Sequence, residues 1–369
     1  MLSLVVTPGT VPGRAPASLT ERLTSITVRP QPGEEWPALC RRFAAHVREH
    51  DATPLHLQVF GDCRAGAAVT DTLRKLLGHA DWPVTWVEGG DCAGQPVAGL
   101  QAHVFQGDVE RLMVAGRAAG SVFTEGGARQ CIIGGLMPDP ALSRPEQTVR
   151  ALETLQTILG DAGFALGEVV RTWFFLDRIL DWYNDFNRAR TGIYSGIKFR
   201  TGSLPASTGV GAKNPAGAAL ALAAWAFQPV EKQAYAEEVA SPLQCPAPAY
   251  GSSFSRAMET STNGGRRLFI SGTASIAPGG ATFWAEDVQQ QVQLTMAVVE
   301  AILSSRGFAF ADLARATAYF RHPGDAGAFA EWLAAHKLTE LPVVSARCDV
   351  CRDDLLFELE AEAVAETPG

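Results

Sequence analysis

The sequence predicts a mixed α/β (α+β) fold assembled from tandem β-sheet-plus-helix units. Three observations lead there. Strand-like and helix-like hydrophobic periods alternate along the whole chain. The middle and the C-terminal third follow the same order of elements. Matching landmarks also keep a constant spacing: Gly163 to Gly307 and Arg171 to Arg315 are both 144 residues (307 − 163 and 315 − 171). Chance apolar periodicity does not hold register like this, so the chain carries an internal duplication.

Residues 1–20 are rich in Pro, Gly and Ala and read as a flexible arm. Residues 21–104 form a βαβαβ unit, with strands at 25–28, 55–60 and 84–87 and helices at 36–50 and 69–77. The first repeat spans 105–228. Stretches 112–114 and 131–135 are strands bounding a turn. Pro145 opens a helix that runs to Ala162, with Gly163 placed to cap its C-terminus. A buried strand at 169–176 and a second helix at 182–194 follow. A polar loop, 195–204, leads to 205–211 and 219–225, read as a hairpin. Residues 229–245, with their prolines, are the linker. The second repeat, 246–369, carries the same series: Leu268–Ile276 matches 130–137, the helix ending at 308 matches the one ending at 164, and 315–320 matches 171–176.

Composition narrows the function. The 369 residues are 47% hydrophobic and 19% charged, enough for two or three domains with large cores. A net charge of −8 and the lack of a basic block argue against a nucleic-acid partner. No apolar run approaches a membrane span, and the N-terminus lacks a signal-peptide pattern. Seven scattered cysteines, an odd number, suit reduced thiols better than a disulfide framework. A soluble cytoplasmic protein is the expectation, as a monomer or a small homo-oligomer.

The last strand, read as 350–362, is the most informative stretch. Strand alternation puts Glu358, Glu360 and Glu362 on one face and Phe357, Leu359 and Ala361 on the other. A strand with one wet face would look the same. Its counterpart at 219–225, however, is apolar on both faces, so the carboxylates belong to one copy only. Cys348 and Cys351 form a CxxC. A zinc site is not supported, because there is no second pair and none of the seven histidines is read as having ligand spacing. A redox role is not supported either, since the pair precedes no helix. Packing accounts for Cys348.

Each copy resembles the YjgF/RidA family, through the tracts Arg171-Thr172-Trp173, Leu204-Pro205-Ala206-Ser207-Thr208-Gly209 and Ser271-Gly272-Thr273-Ala274-Ser275. Two copies joined to a βαβαβ unit resemble the chorismatases, single-chain pseudo-trimeric relatives of that family. Trp182-Tyr183-Asn184-Asp185-Phe186-Asn187, Ser252-Ser253-Phe254-Ser255-Arg256-Ala257 and 351–360 add to the likeness. The resemblance implies a pseudo-trimer acting on chorismate without metal or other cofactor. Imine-hydrolysing YjgF/RidA proteins place an Arg two residues after the Pro of the Pro-Ala strand; here Ser207 and Val344 stand there, which argues against imine deamination.

A chorismate dianion needs cationic or donor-rich clamps. The candidates are Arg256 and Arg347, with Arg200 behind them; a surface arginine is the competing reading for Arg200 and Arg256. Tyr194, Ser207 and Thr208 could supply hydroxyl hydrogen bonds or simply cap turns. Pyruvate release begins with protonation of the enol ether methylene, which needs an acid that is still protonated near neutral pH. Glu358 is the candidate, since burial and like charge both favour the neutral carboxyl. The resemblance implies that Cys351 marks the branch ending in 3-hydroxybenzoate, with Ala274 on the facing strand also bearing on the product. The alternatives are a hydrolase releasing a diene diol acid and a mixed 3-/4-hydroxybenzoate synthase. From other classes come an imine deaminase and a non-catalytic small-molecule sensor.

Overall fold

The structure is a computed structural model that describes residues 5–7, 22–90, 92 and 95–366. Its strands form three sheets. The first is built from β1 (Val5–Thr7), β2 (Leu23–Val28), β3 (Thr53–Gly61), β4 (Val84–Val87) and β5 (Val97–Phe105), with helices α1 (Trp36–Glu49) and α2 (Gly66–Leu77). The second holds β6 (Glu110–Val114), β7 (Arg117–Glu125), β8 (Ala128–Leu136), β9 (Val169–Leu176), β10 (Ala206–Gly211) and β11 (Leu220–Pro229), with α3 (Arg144–Asp161) and α4 (Tyr183–Tyr194). The third holds β12 (Tyr235–Val239), β13 (Ala257–Thr262), β14 (Gly265–Ala274), β15 (Leu313–Phe320), β16 (Val343–Arg347) and β17 (Phe357–Ala365), with α5 (Val288–Ser305) and α6 (Ala326–Ala335).

The strand orders coincide. They are β4-β3-β5-β2-β1, then β10-β9-β11-β8-β7-β6, then β16-β15-β17-β14-β13-β12. In every unit the last strand is inserted at the centre of the sheet, beside the strand that follows the first helix. The N-terminal unit is therefore a third copy of the same topology. Sequence reading found only three of its strands, because β5 (VAGLQAHVF) puts Gly, Gln and His where an apolar face is expected.

Several element assignments change. β10 and β11 are not a hairpin: β9 lies between them, parallel to β10 and antiparallel to β11. β7 was not anticipated between the strands at 112–114 and 131–135. The segment 229–245, expected as a linker, contributes edge strand β12, which pairs with β13. The last strand begins at Phe357, so 350–356 is loop and Cys351 is not on a strand. Of the expected N-terminal arm, Val5–Thr7 pairs with β2; the rest lies outside the described residues. The helix boundaries hold well. Ser143 and Glu146 form a capping box at the start of α3, and Gly163 follows its end at φ +73°, a left-handed conformation that glycine adopts without strain.

Strand alternation divides the core. On β9, Phe174 and Leu176 pack under the helices, while Trp173 and Phe175 join a central cluster drawn from all three units. On β17, Phe357, Leu359, Ala361 and Ala363 face the helices. The opposite positions of the three central strands are equivalent by pairing: Gly99, Ala221 and Glu358; Gln101, Ala223 and Glu360; His103, Trp225 and Glu362. In the last of these layers the residues meet. His103 and Trp225 rings are 4.8 Å apart, and His103 Nε2 lies 3.0 Å from both Glu362 oxygens.

Trp225 is fully buried, touches Phe269 of the third unit at 5.1 Å between ring centroids, and donates from Nε1 to Gln130 at 2.9 Å. Replacing it with Ala removes packing shared by all three units, and we expect a loss of about 3–5 kcal/mol in denaturant unfolding. A loss under about 1 kcal/mol would show that the axis is not a working core.

Candidate active site

The second and third units meet along β10 and β14. Ser255 N–H donates to the Pro205 carbonyl at 3.0 Å, and Ser207 N–H donates to Ser271 Oγ at 2.9 Å. There the β14–β17 ladder slips between Ile270 and Thr273, leaving a bulge at Ser271 and Gly272. Bulges re-aim side chains and often sit beside functional sites. Here the bulge borders a cleft lined by residues that include Tyr183, Arg190, Ser207, Tyr250, Arg256, Ala274, Cys351, Arg352 and Glu358.

The three glutamates of β17 face inward and are only 5%, 3% and 3% exposed, so none is a wet-face residue. Their compensation is graded. Glu362 meets Arg315 at 2.9 Å, Arg267 at 3.2 Å and His103 at 3.0 Å. Burial alone would raise its carboxyl, but these partners outweigh burial and hold it well below the usual range. Glu360 meets Arg171 at 2.6 Å and Arg315 at 3.3 Å, and Thr317 Oγ1 donates to it at 3.2 Å. Glu358 has no ion pair or hydrogen bond among the described residues. Burial, with the Glu360 charge next to it, pushes it up to about 8, against weaker opposing influence from Arg171 and Arg256. At pH 7 the neutral carboxyl is then the major form. Its Oε1 rests against the Cα of Gly272, in space that a methyl group would occupy.

Two buried guanidinium groups line the same cleft. Arg256 gives Nε–H to the Cys245 carbonyl at 3.0 Å, and its Nη2 finds no partner among the described residues. Arg190 gives Nη2–H to Asn187 at 2.7 Å and Nη1–H to Ser207 Oγ at 3.4 Å, and its Nε is likewise unpartnered. Neither has a carboxylate partner. Cys351 is raised to about 12, by burial first and then by Glu358, so its thiol stays protonated.

Glu358, Cys351, Arg256, Ser207 and Ala274 thus come together. Other candidates do not reach the cleft wall. Thr208 sits behind it, accepting from Arg171 at 2.6 Å and from Gly272 N–H at 3.1 Å. Tyr194 is buried in the helix-facing core of the second unit, against Phe199. Arg200 is exposed and paired with Glu168 at 2.9 Å, on a separate surface depression. Arg347 is exposed at the end of β16, where its N–H binds the Gly90 carbonyl; the chain turns there toward the N-terminal unit. Sequence reading missed Arg190, Tyr183, Tyr250 and Arg352. Asn187 and Arg190, three apart on α4, share a buried face that only the structure reveals. His46 and Glu49 on α1, with His50 just past its end, also place one ligand atom each within 4.8 Å of one another, a spacing the sequence reading passed over. None of the three lines the cleft.

The raised Glu358 carboxyl has a stability consequence. Between the unfolded value near 4.3 and about 8, the folded chain holds a proton that the unfolded chain has lost, so stability falls as pH rises across that window. Glu358→Gln lacks this slope. Its melting temperature relative to wild type should climb from pH 5 to pH 8; a constant difference would contradict the buried neutral acid.

No family model matches the chain. A 3-hydroxybenzoate synthase from Streptomyces hygroscopicus is 27% identical over 242 residues, 58% of this chain and 68% of that protein. A crystal structure of a chorismatase superposes with a TM-score of 0.66 at 19% identity, covering 94% of this chain and 99% of that one. A YjgF/YER057c/UK114-family protein from Mycobacterium tuberculosis matches 36% of this chain over its whole length, at 21% identity and a TM-score of 0.28. No helix among the described residues is long and apolar enough to cross a membrane. One unit topology is thus repeated three times in a single chain, and the chorismatase structure shares this fold across nearly all of both chains.

Proposed function

We propose that the protein converts chorismate to 3-hydroxybenzoate and pyruvate, with Glu358 as the general acid. One observation carries this reading: a single cleft holds a carboxyl kept neutral by burial and two buried guanidinium groups, Arg190 and Arg256, with unpartnered N–H groups. An uncompensated buried cation is costly, and a carboxylate ligand relieves it. Two such cations suit a dianion with one carboxylate on its ring and one on its enolpyruvyl arm. The alignment with a 3-hydroxybenzoate synthase supports the choice of product.

The chemistry follows from the placement. Glu358 gives its proton to the enol ether methylene, and the adjacent carbon becomes an oxocarbenium. Attack by the ring's own hydroxyl, then elimination, releases pyruvate and leaves an aromatic hydroxybenzoate with no net water consumed. The ring loses a proton in the elimination and the Glu358 carboxylate regains one, so the acid is restored. Attack by water instead consumes one water and gives the diene diol acid. The protonated Cys351 thiol lies on the cleft wall beside Glu358 and acts as a hydrogen-bonding group rather than a nucleophile. Each chain holds its own unit interfaces and hence a whole cleft, which fits action as a monomer. Its seven free cysteines fit the reducing cytoplasm.

Purified protein given chorismate and no added cofactor should release pyruvate and a hydroxybenzoate; no pyruvate above the spontaneous rate rejects the reading. Glu358→Gln should lower the rate by about 10²–10⁴-fold, the usual span for losing a general acid. Cys351→Ala should divert product toward the diene diol acid, seen by mass. An unchanged product ratio removes Cys351 from product choice.

A further inference from the structure

The graded compensation along β17 calls for an explanation beyond the acid itself. Glu358 and Glu360 project from the same face of one strand, and Arg171 of the second unit sits between their surroundings. Arg171 places Nη2 2.6 Å from Glu360 Oε2 and 2.6 Å from Thr208 Oγ1. Thr208 Oγ1 also accepts Gly272 N–H at 3.1 Å, and Gly272 is the residue against which the Glu358 carboxyl rests. The Arg171 guanidinium lies over Trp173 at 4.7 Å, and its Nε and Nη1 are buried without partners among the described residues. One cation is thus held beside two carboxylates and bonded to only one of them.

We infer that Glu360 is a positioning residue: by fixing Arg171 and Arg315 on itself, it keeps Arg171 from pairing with Glu358, and so leaves the cleft carboxyl without a bonded cation. The inference rests on the reading of Glu358 as the acid. The other charged and titratable groups around Glu358 are consistent with this assignment. Arg256 is bonded to a backbone carbonyl, and Arg190 to Asn187 and Ser207. Arg352 donates to the Gly280 carbonyl. Tyr319, paired with Glu358 across β15 and β17, is held neutral by burial, as are Tyr183, Tyr250, Cys348 and Cys351. Besides burial, Glu360 and Arg171 therefore stand out as the ion pair whose arrangement bears on Glu358.

The test is the titration midpoint of the Glu358 carboxyl, followed by NMR of full-length protein labelled with ¹³C at the glutamate carboxyl carbon and assigned by loss of the signal in Glu358→Gln. Glu360→Gln removes the like charge and frees Arg171, so the midpoint should fall by at least one pH unit, a tenfold change in proton affinity. Arg171→Gln removes the opposing cation, so the midpoint should rise. Arg171→Lys keeps the charge and should stay near wild type. Opposite shifts are not what a merely structural role produces. Midpoints that stay put or move in the same direction overturn the inference, and either neutralising variant suffices if the other fails to fold. Pyruvate release by the wild type, measured alongside, judges the functional reading separately.

Discussion

Three carboxylates on one buried strand face are the constraint that the structure answers to. A carboxylate taken out of water must find cations or give up its charge. Glu362 finds three cationic or imidazole partners, which hold its carboxyl well below the usual range, and Glu360 finds two arginines. Glu358 finds none and takes a proton. Neutralisation at one end of the ladder and its absence at the other turn a structural feature into a chemical one.

The threefold arrangement makes that asymmetry possible. Central strands β5, β11 and β17 occupy equivalent places, yet only β17 carries acids. The other two units offer the matching partners: His103 on β5 reaches Glu362, and Arg171 on β9 reaches Glu360. Gly99 and Ala221 stand where Glu358 stands. The small residue at Gly99 leaves room for Val344, so that layer is closed by packing in the first unit and opened into a cleft in the third. One scaffold used three times thus yields the acid in a single copy.

Much of this was legible in the sequence. The duplication, the helices and the acidic face of the final strand follow from periodicity and spacing, which are local. The third copy was not, because β5 has no simple apolar alternation: its Gln101 and His103 pair with polar groups on other units, a long-range fact. Glu358, Arg256, Ser207, Ala274 and Cys351, all singled out in the sequence, line one cleft. Arg347 and Arg200 do not, since a positive charge at a strand end or in a loop says nothing about the direction it faces. Arg190 escaped notice because a helix residue buried with Asn187 looks, in one dimension, like a solvated one.

The central claim is that the uncompensated carboxyl of the ladder works in its protonated form. The most direct measurement is the pH dependence of kcat/KM for pyruvate release from chorismate by the wild-type protein. The account predicts a rate that holds through neutral pH and declines as pH rises past about 8, when Glu358 ionises. A decline centred near pH 4–5, the range of an ordinary carboxyl, or a rate that increases through pH 8, would contradict it.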